Sequence, residues 1–162
     1  MINNLTYYNF TELMPIVCID VVIHEGEWFV LVKRNREPAK GLWWTPGGRL
    51  RKNETMQEGA IRKAKEEVGL DVIIERLVGV YDCIFPTSHQ GPSTHAVDVV
   101  FLVKPKINDI DSIRIDSTSS GFLIVNRLEN DCHPHIRRVI SDSGLGKERG
   151  RTMSDSGLGG II

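Results

Sequence analysis

Apolar and β-branched residues gather in short runs separated by polar turns from residue 15 onward, and that pattern predicts mostly strands. Residues 15–23 are rich in Val and Ile and read as a buried strand. The turn His24-Glu25-Gly26-Glu27 and the apolar return over 28–33 predict a hairpin. A polar loop over 35–41 leads to a short aromatic strand at 42–45, stopped by Pro46-Gly47-Gly48. Residues 55–68 change period. Met56, Ala60, Ile61, Ala64 and Val68 form an apolar stripe at helical spacing. Thr55 is placed as N-cap, Gln57 and Glu58 lie in the first turn, and Gly69 suits the position past the end. Residues 72–84 and 96–103 read as strands joined by a polar loop over 86–93. A further short strand is predicted at 122–125. A second helix is predicted over 134–140, with Pro134 in its first turn. Residues 5–12 mix aromatic and polar groups, as an amphipathic turn or short helix would. Strands flanked by two helices imply an α/β fold with a mixed sheet.

Composition narrows this picture. A chain of 162 residues is large enough for one domain with a proper core. Its formal net charge of -1 gives no global field to attract a nucleic-acid polymer or an anionic membrane. No apolar run approaches the ~18 residues of a membrane span. Cys18, Cys83 and Cys132 are far apart and form no CxxC, which fits a reducing, cytoplasmic setting rather than a disulfide scaffold. The first residues lack the basic and apolar blocks of a signal peptide. Ser-Asp-Ser-Gly-Leu-Gly occurs at 141–146 and again at 154–159. The expected organisation is a single domain over 1–140 and a loosely ordered Gly/Ser-rich tail over 141–162.

The chemistry gathers on the first helix. Residues three and four apart share a helix face, so positions 63, 66 and 67 form a triangle. Glu66 and Glu67 put two carboxylates there, a hard oxygen site suited to Mg²⁺, while Lys63 supplies a cation four residues before Glu67. Charged runs on helices are usually only solvated faces. The flanking residues change that reading. Gly48, Glu54, Arg62, Glu66, Glu67 and Gly69 match the fixed spacing Gly-x5-Glu-x7-Arg-Glu-U-x-Glu-Glu-x-Gly-U, with Lys63 in place of a glutamate. The segment resembles the signature of the Nudix hydrolases. That resemblance implies an α/β/α sandwich in which the signature forms a loop-helix-loop. It implies a divalent metal, Mg²⁺ with Mn²⁺ as a substitute, held by Gly47, Glu66 and Glu67. Glu54 and Arg62 are implied to form a structural pair that fixes the loop beside Gly48 onto the helix.

The residues before the signature are similar to the GDP-mannose mannosyl hydrolase branch of that family. These are residues 15–20, Lys33-Arg34, and 38–49 with Trp43-Trp44-Thr45-Pro46-Gly47-Gly48-Arg49. That branch also departs from the signature at the position of Lys63. By this resemblance Gly47 and Glu67 hold the metal, Arg49 contacts the diphosphate, Asp20 and Arg34 help bind the nucleotide, and the protein is a homodimer through its N-terminal region. Where the branch has a histidine base and a metal-binding glutamine, this chain has Asp116-Ser117-Thr118-Ser119-Ser120-Gly121, with neither. His89 and His95 are the candidate bases, with His133 and His135 behind them. A metal-bound hydroxide would need no strong protein base. Trp43, Trp44 or Tyr81 could stack on a base or sugar, though core packing suits at least one tryptophan.

Three functions follow. The first is a Mg²⁺-dependent hydrolase of a nucleoside diphosphate sugar such as GDP-mannose, attacking the glycosyl carbon. The second is a pyrophosphohydrolase attacking phosphorus in a nucleotide sugar or nucleoside triphosphate. The third is a catalytically degenerate module that binds a nucleotide without turnover.

Overall fold

The structure, a computed structural model, describes residues 12–86, 93–107 and 112–146. Its elements in chain order are β1 (Ile16–Glu25), β2 (Trp28–Arg34), β3 (Trp43–Trp44), β4 (Gly47–Arg49), α1 (Met56–Val68), β5 (Val72–Phe85), β6 (Thr94–Pro105), β7 (Ser119–Val125) and α2 (Pro134–Ser143). The expected segment at 5–12 lies almost wholly outside the described residues.

Strand β1 organises the mixed sheet. One edge pairs in parallel with β6, from Ile16 opposite Ala96 to Ile23 opposite Val103. Its other edge is divided between two partners. β2 takes the hairpin end, with His24 opposite Phe29, and β4 takes the beginning, with Cys18 opposite Arg49 and Asp20 opposite Gly47. β2 then departs to pair with β3 and β7, while β5 runs antiparallel to β6 on the far side. The resulting order is β3-β2-β1-β6-β5, with β4 on β1 and β7 on β2. The divergence of β1 and β2 opens a cleft of about 270 Å³.

Alternation along the strands divides the core into two layers. Ile19, Val21, Ile23, Val99, Phe101 and Val103 pack against Ala60, Ala64 and Val68 of α1. Val22, Val100, Leu102, Tyr81 and Cys83 pack against Ile136, Val139 and Ile140 of α2. The sheet is therefore the filling of an α/β/α sandwich. Full burial of each Ile or Val in this filling contributes about 1.5–3 kcal/mol.

Helix α1 begins and ends where its local chemistry dictates. Glu58 N donates to Thr55 Oγ1 at 3.2 Å, and Thr55 N donates to Glu58 Oε2 at 2.8 Å, which closes a capping box. Gly69 ends the helix in the left-handed region at φ 76°, its N–H donating to Lys65 O. The buried stripe differs from the expected one. Met56 and Ile61 are 45% and 40% exposed, while Gly59 and Glu67 are buried. Gly59 explains the rotation. A Cβ there would lie 3.1 Å from Leu50 and 3.2 Å from Ile19, so its absence lets the helix settle closely onto the sheet.

Helix α2 has Pro134 at its start and His133 as N-cap, with His133 Nδ1 accepting from His135 N at 3.2 Å. It runs past the boundary expected at residue 140. The first copy of the repeat supplies its last turn and its end: Ser143 Oγ donates to Ile140 O at 2.6 Å, Gly144 turns the chain at φ 85°, and Leu145 packs on the core. The tail boundary expected at residue 141 therefore falls within this helix. The second copy, at 154–159, lies outside the described residues. Among the described residues no helix is long and apolar enough to cross a membrane.

Candidate active site

The loop before α1 is tied to the helix through one guanidinium. Arg62 donates to both oxygens of Glu54, at 2.5 and 2.8 Å, to Glu66 Oε2 at 2.9 Å and to Arg49 O at 3.1 Å. Arg51 N also donates to Glu54 at 2.9 Å. The Arg62 hydrogen bonds, with that of Arg51, hold the Glu54 carboxyl down to about 2. A depressed carboxyl stabilises the fold fully above its unfolded value of about 4.3, and the contribution is lost as pH falls toward about 2. Arg62→Ala is expected to cost about 3 kcal/mol, because both carboxylates lose their bidentate or bridging partner. Urea denaturation near neutral pH measures this, and the deficit should shrink progressively below about pH 4.

The two signature glutamates have different surroundings. Glu67 is 6% exposed and lines the cleft. Gly47 N donates to its Oε2 at 2.9 Å, and Lys63 Nζ lies 2.5 Å from its Oε1. Glu66 is absent from the cleft wall and accepts from Arg51 at 2.9 Å and from Arg62. Lys63 is only 13% exposed in its side chain, so this is no solvated charged face. The all-oxygen donors Glu67, Glu66 and the Gly47 carbonyl suit a hard divalent cation in chemistry. Lys63 already engages one Glu67 oxygen and competes for it.

The structure brings Asp20, Arg34, Gly47, Gly48, Arg49 and Glu67 to the same cleft. Asp20 Oδ2 accepts from Trp44 Nε1 at 3.2 Å and Thr45 Oγ1 at 2.9 Å. Burial, followed by the nearby Asp98 charge, carries its carboxyl well above the usual range, which favours the neutral form. Gly47 is indispensable here: a Cβ would overlap the Asp20 carboxylate. Arg34 Nε donates to Pro38 O at 2.8 Å and its guanidinium lies over the Trp44 ring, 5.8 Å from the centroid. Arg36 joins Arg34 and Arg49 on the lining, so that with Lys63 four cationic side chains stand beside the carboxyl groups of Asp20, Glu37, Glu67 and Asp98.

The candidate bases fare differently. His89 lies outside the described residues. His95 stands 3.3 Å from Asp82 and does not line the cleft, since Ala96 and Asp98 occupy the inward positions of β6. His133 and His135 pack against Trp44 at the start of α2. Trp44 lines the cleft and is buried, whereas Trp43 lies under Lys33 at 5.7 Å outside it. Tyr81 is spent beneath α2, its hydroxyl donating to Asp142 at 2.9 Å. Sequence reasoning passed over Asp98, Cys18 and Cys83. An Asp in the apolar run Ala96-Val97-Asp98-Val99-Val100 was the available signal, because a strand buried on both faces has no solvent position for it. Burial and the neighbouring carboxylates push the Cys83 thiol up to about 12 and Cys18 further, so neither is a ready thiolate nucleophile.

A signature loop-helix-loop on an α/β/α sandwich, with its glutamate facing an arginine-lined cleft, defines a Nudix hydrolase. The NUDIX domain family matches residues 14–119, and the chain belongs to that family. It is 33% identical over 129 residues to the low-salt glycan biosynthesis protein Agl8 of Haloferax volcanii, covering 78% of this chain and 81% of that protein. It is 34% identical over 130 residues to an ADP-ribose pyrophosphatase of Methanocaldococcus jannaschii, covering 80% and 73%. A putative 8-oxo-dGTP diphosphatase of Bacillus subtilis is 38% identical over 141 residues, covering 85% and 86%. The fold is shared with a MutT NUDIX hydrolase from Burkholderia pseudomallei, at a TM-score of 0.65 and 23% identity over 80% of this chain and 98% of that one.

Proposed function

We propose that the chain hydrolyses a nucleoside diphosphate sugar of the GDP-mannose type, releasing nucleoside diphosphate and free sugar. The observation that carries this reading is the Lys63 ammonium on Glu67 Oε1, at the wall of the cleft. Attack at phosphorus calls for a base beside the diphosphate, and the signature residue at that place is a cation instead. Attack at the glycosyl carbon calls chiefly for a stabilised leaving group. Water adds to that carbon and gives up a proton to solvent, the bond from carbon to phosphate oxygen breaks, and the diphosphate departs with the electron pair. Arg49, Arg34 and Lys63 receive its charge in a sheltered cleft, where preorganised cations act most strongly. Glu67 and the Gly47 carbonyl would hold Mg²⁺ or Mn²⁺ at the cleft, with Glu66 reaching it only on release from Arg51 and Arg62, and such an ion would add charge neutralisation at the diphosphate. Asp20 and Trp44 shape the wall against which the nucleotide lies. The exposed apolar side chains Leu13, Met14 and Val17 support a homodimer through the N-terminal region.

A second reading, pyrophosphohydrolysis, is favoured by retention of both Glu66 and Glu67 and by the likeness to the ADP-ribose pyrophosphatase. Incubation with GDP-mannose and Mg²⁺ in ¹⁸O-labelled water separates the two. GDP with label in the mannose is expected. GMP with labelled phosphate would establish the second reading. A lack of turnover across a nucleotide panel, cured by Lys63→Glu, would mark a degenerate binding module.

A further inference from the structure

On the α2 face of the sheet, three side chains of different elements converge: Cys83 of β5, Asp98 of β6 and His135 of α2. Their Sγ, carboxylate oxygen and imidazole nitrogen all lie within 4.8 Å of one another. Cys83 and Asp98 are buried and reach the cleft lining, and the His135 side chain is only 8% exposed. His135 Nε2 is 3.2 Å from Asp98 Oδ2, yet it is misaligned for hydrogen bonding and is a buried nitrogen with no hydrogen-bond partner. A polar atom in that state calls for an explanation, of which an absent ion is one. The ring is held firmly in place. It stacks on Trp44 at 5.2 Å with 9° between planes, and it meets the edge of Tyr81 at 5.9 Å.

We propose that Cys83, Asp98 and His135 form a Zn²⁺ site, distinct from the signature glutamates, whose fourth position opens on the cleft. The donor set selects the metal. A thiolate, an imidazole and a carboxylate suit zinc, whereas Mg²⁺ takes oxygen ligands. Tetrahedral zinc with these ligands has edges of about 3.3–3.6 Å between donor atoms. The His135–Asp98 pair already stands at 3.2 Å, and closing the rest takes about 1 Å of side-chain rotation. Charge also balances: the dication is matched by the Cys83 thiolate and the Asp98 carboxylate, with the thiol proton passing to solvent. Three protein ligands and an open position are the arrangement of a zinc that binds water or an exogenous donor, not of a closed structural site.

Cobalt is the probe. The full chain, stripped with a chelator, is titrated with Co²⁺ in excess Mg²⁺, which occupies oxygen-only sites. One equivalent should give the strong visible bands of a four-coordinate centre and a thiolate-to-cobalt charge-transfer band, both abolished by one equivalent of Zn²⁺. Cys83→Ser should remove the charge-transfer band, and His135→Gln should weaken Zn²⁺ binding by about 100-fold, the upper end of what loss of a mere supporting group costs. Cys18→Ser and Cys132→Ser should change neither. Absence of the charge-transfer band in the unaltered protein overturns the site. So does its survival in Cys83→Ser, or its loss with Cys18 instead.

Discussion

Glu67→Gln should lower kcat for nucleotide-sugar hydrolysis about 10³-fold, while Glu66→Gln lowers it about tenfold or less; the larger figure is typical of losing a preorganised charged group that acts in the transition state. The two residues are neighbours with the same charge, so the contrast rests on where their oxygens point. Glu67 faces the cleft and holds both Gly47 N and Lys63. Glutamine keeps the shape but removes the charge that fixes the Lys63 ammonium, and it weakens any divalent-ion ligation. Glu66 instead joins Arg51 and Arg62 on the outer side. Steady-state kinetics on both variants, with thermal melts to confirm folding, give the comparison. A more damaging Glu66→Gln would reassign Glu67 as an anchor for the loop.

Gly47→Ala should destabilise the fold by about 3 kcal/mol, the upper end of ordinary overpacking. That corresponds to a loss of about 6–12 °C in Tm for a chain of this size. The added methyl would overlap the Asp20 carboxylate and approach its Cα within 2.8 Å, so strand β4 must leave β1 to make room. Calorimetry measures the loss. Asp20→Ala in the same background should recover part of it, since contacting residues couple in a double-mutant cycle. Simple additivity would show that the two do not meet. A melting temperature unchanged by Gly47→Ala would mean that β4 yields without cost.

What was legible in the chain was what it specifies locally. Helix α1 could be read almost to the residue because Thr55 and Gly69 stop it by their own backbone chemistry. Strand β4 could not, because two of its three residues are glycines and only pairing with β1 makes it a strand. The parallel partnership of β1 and β6 joins segments distant in sequence, and periodicity carries no information about such partners. In the site, spacing put Lys63, Glu66 and Glu67 on one helix face, but Arg51 and Arg62 hold Glu66 off the cleft wall that Lys63 and Glu67 line. Asp20 was reached only through the family resemblance, and the equally buried Asp98, which that resemblance does not name, was passed over. His95 looked available because half of a strand's residues face away from any given side, and sequence alone does not say which half.

Glu67 and Val68 are successive residues of α1, one in the cleft wall and the other sealed in the core. Reaction geometry and packing are therefore set by the same rigid body. A slight slippage of α1 over Ile19, too small to register as unfolding, carries the carboxylate out of alignment, and displacements near 1 Å can cost about 10²-fold in rate. Catalytic output should therefore be a finer gauge of core integrity than a melting curve: on gentle heating, activity is expected to fall before the backbone signal of folding does.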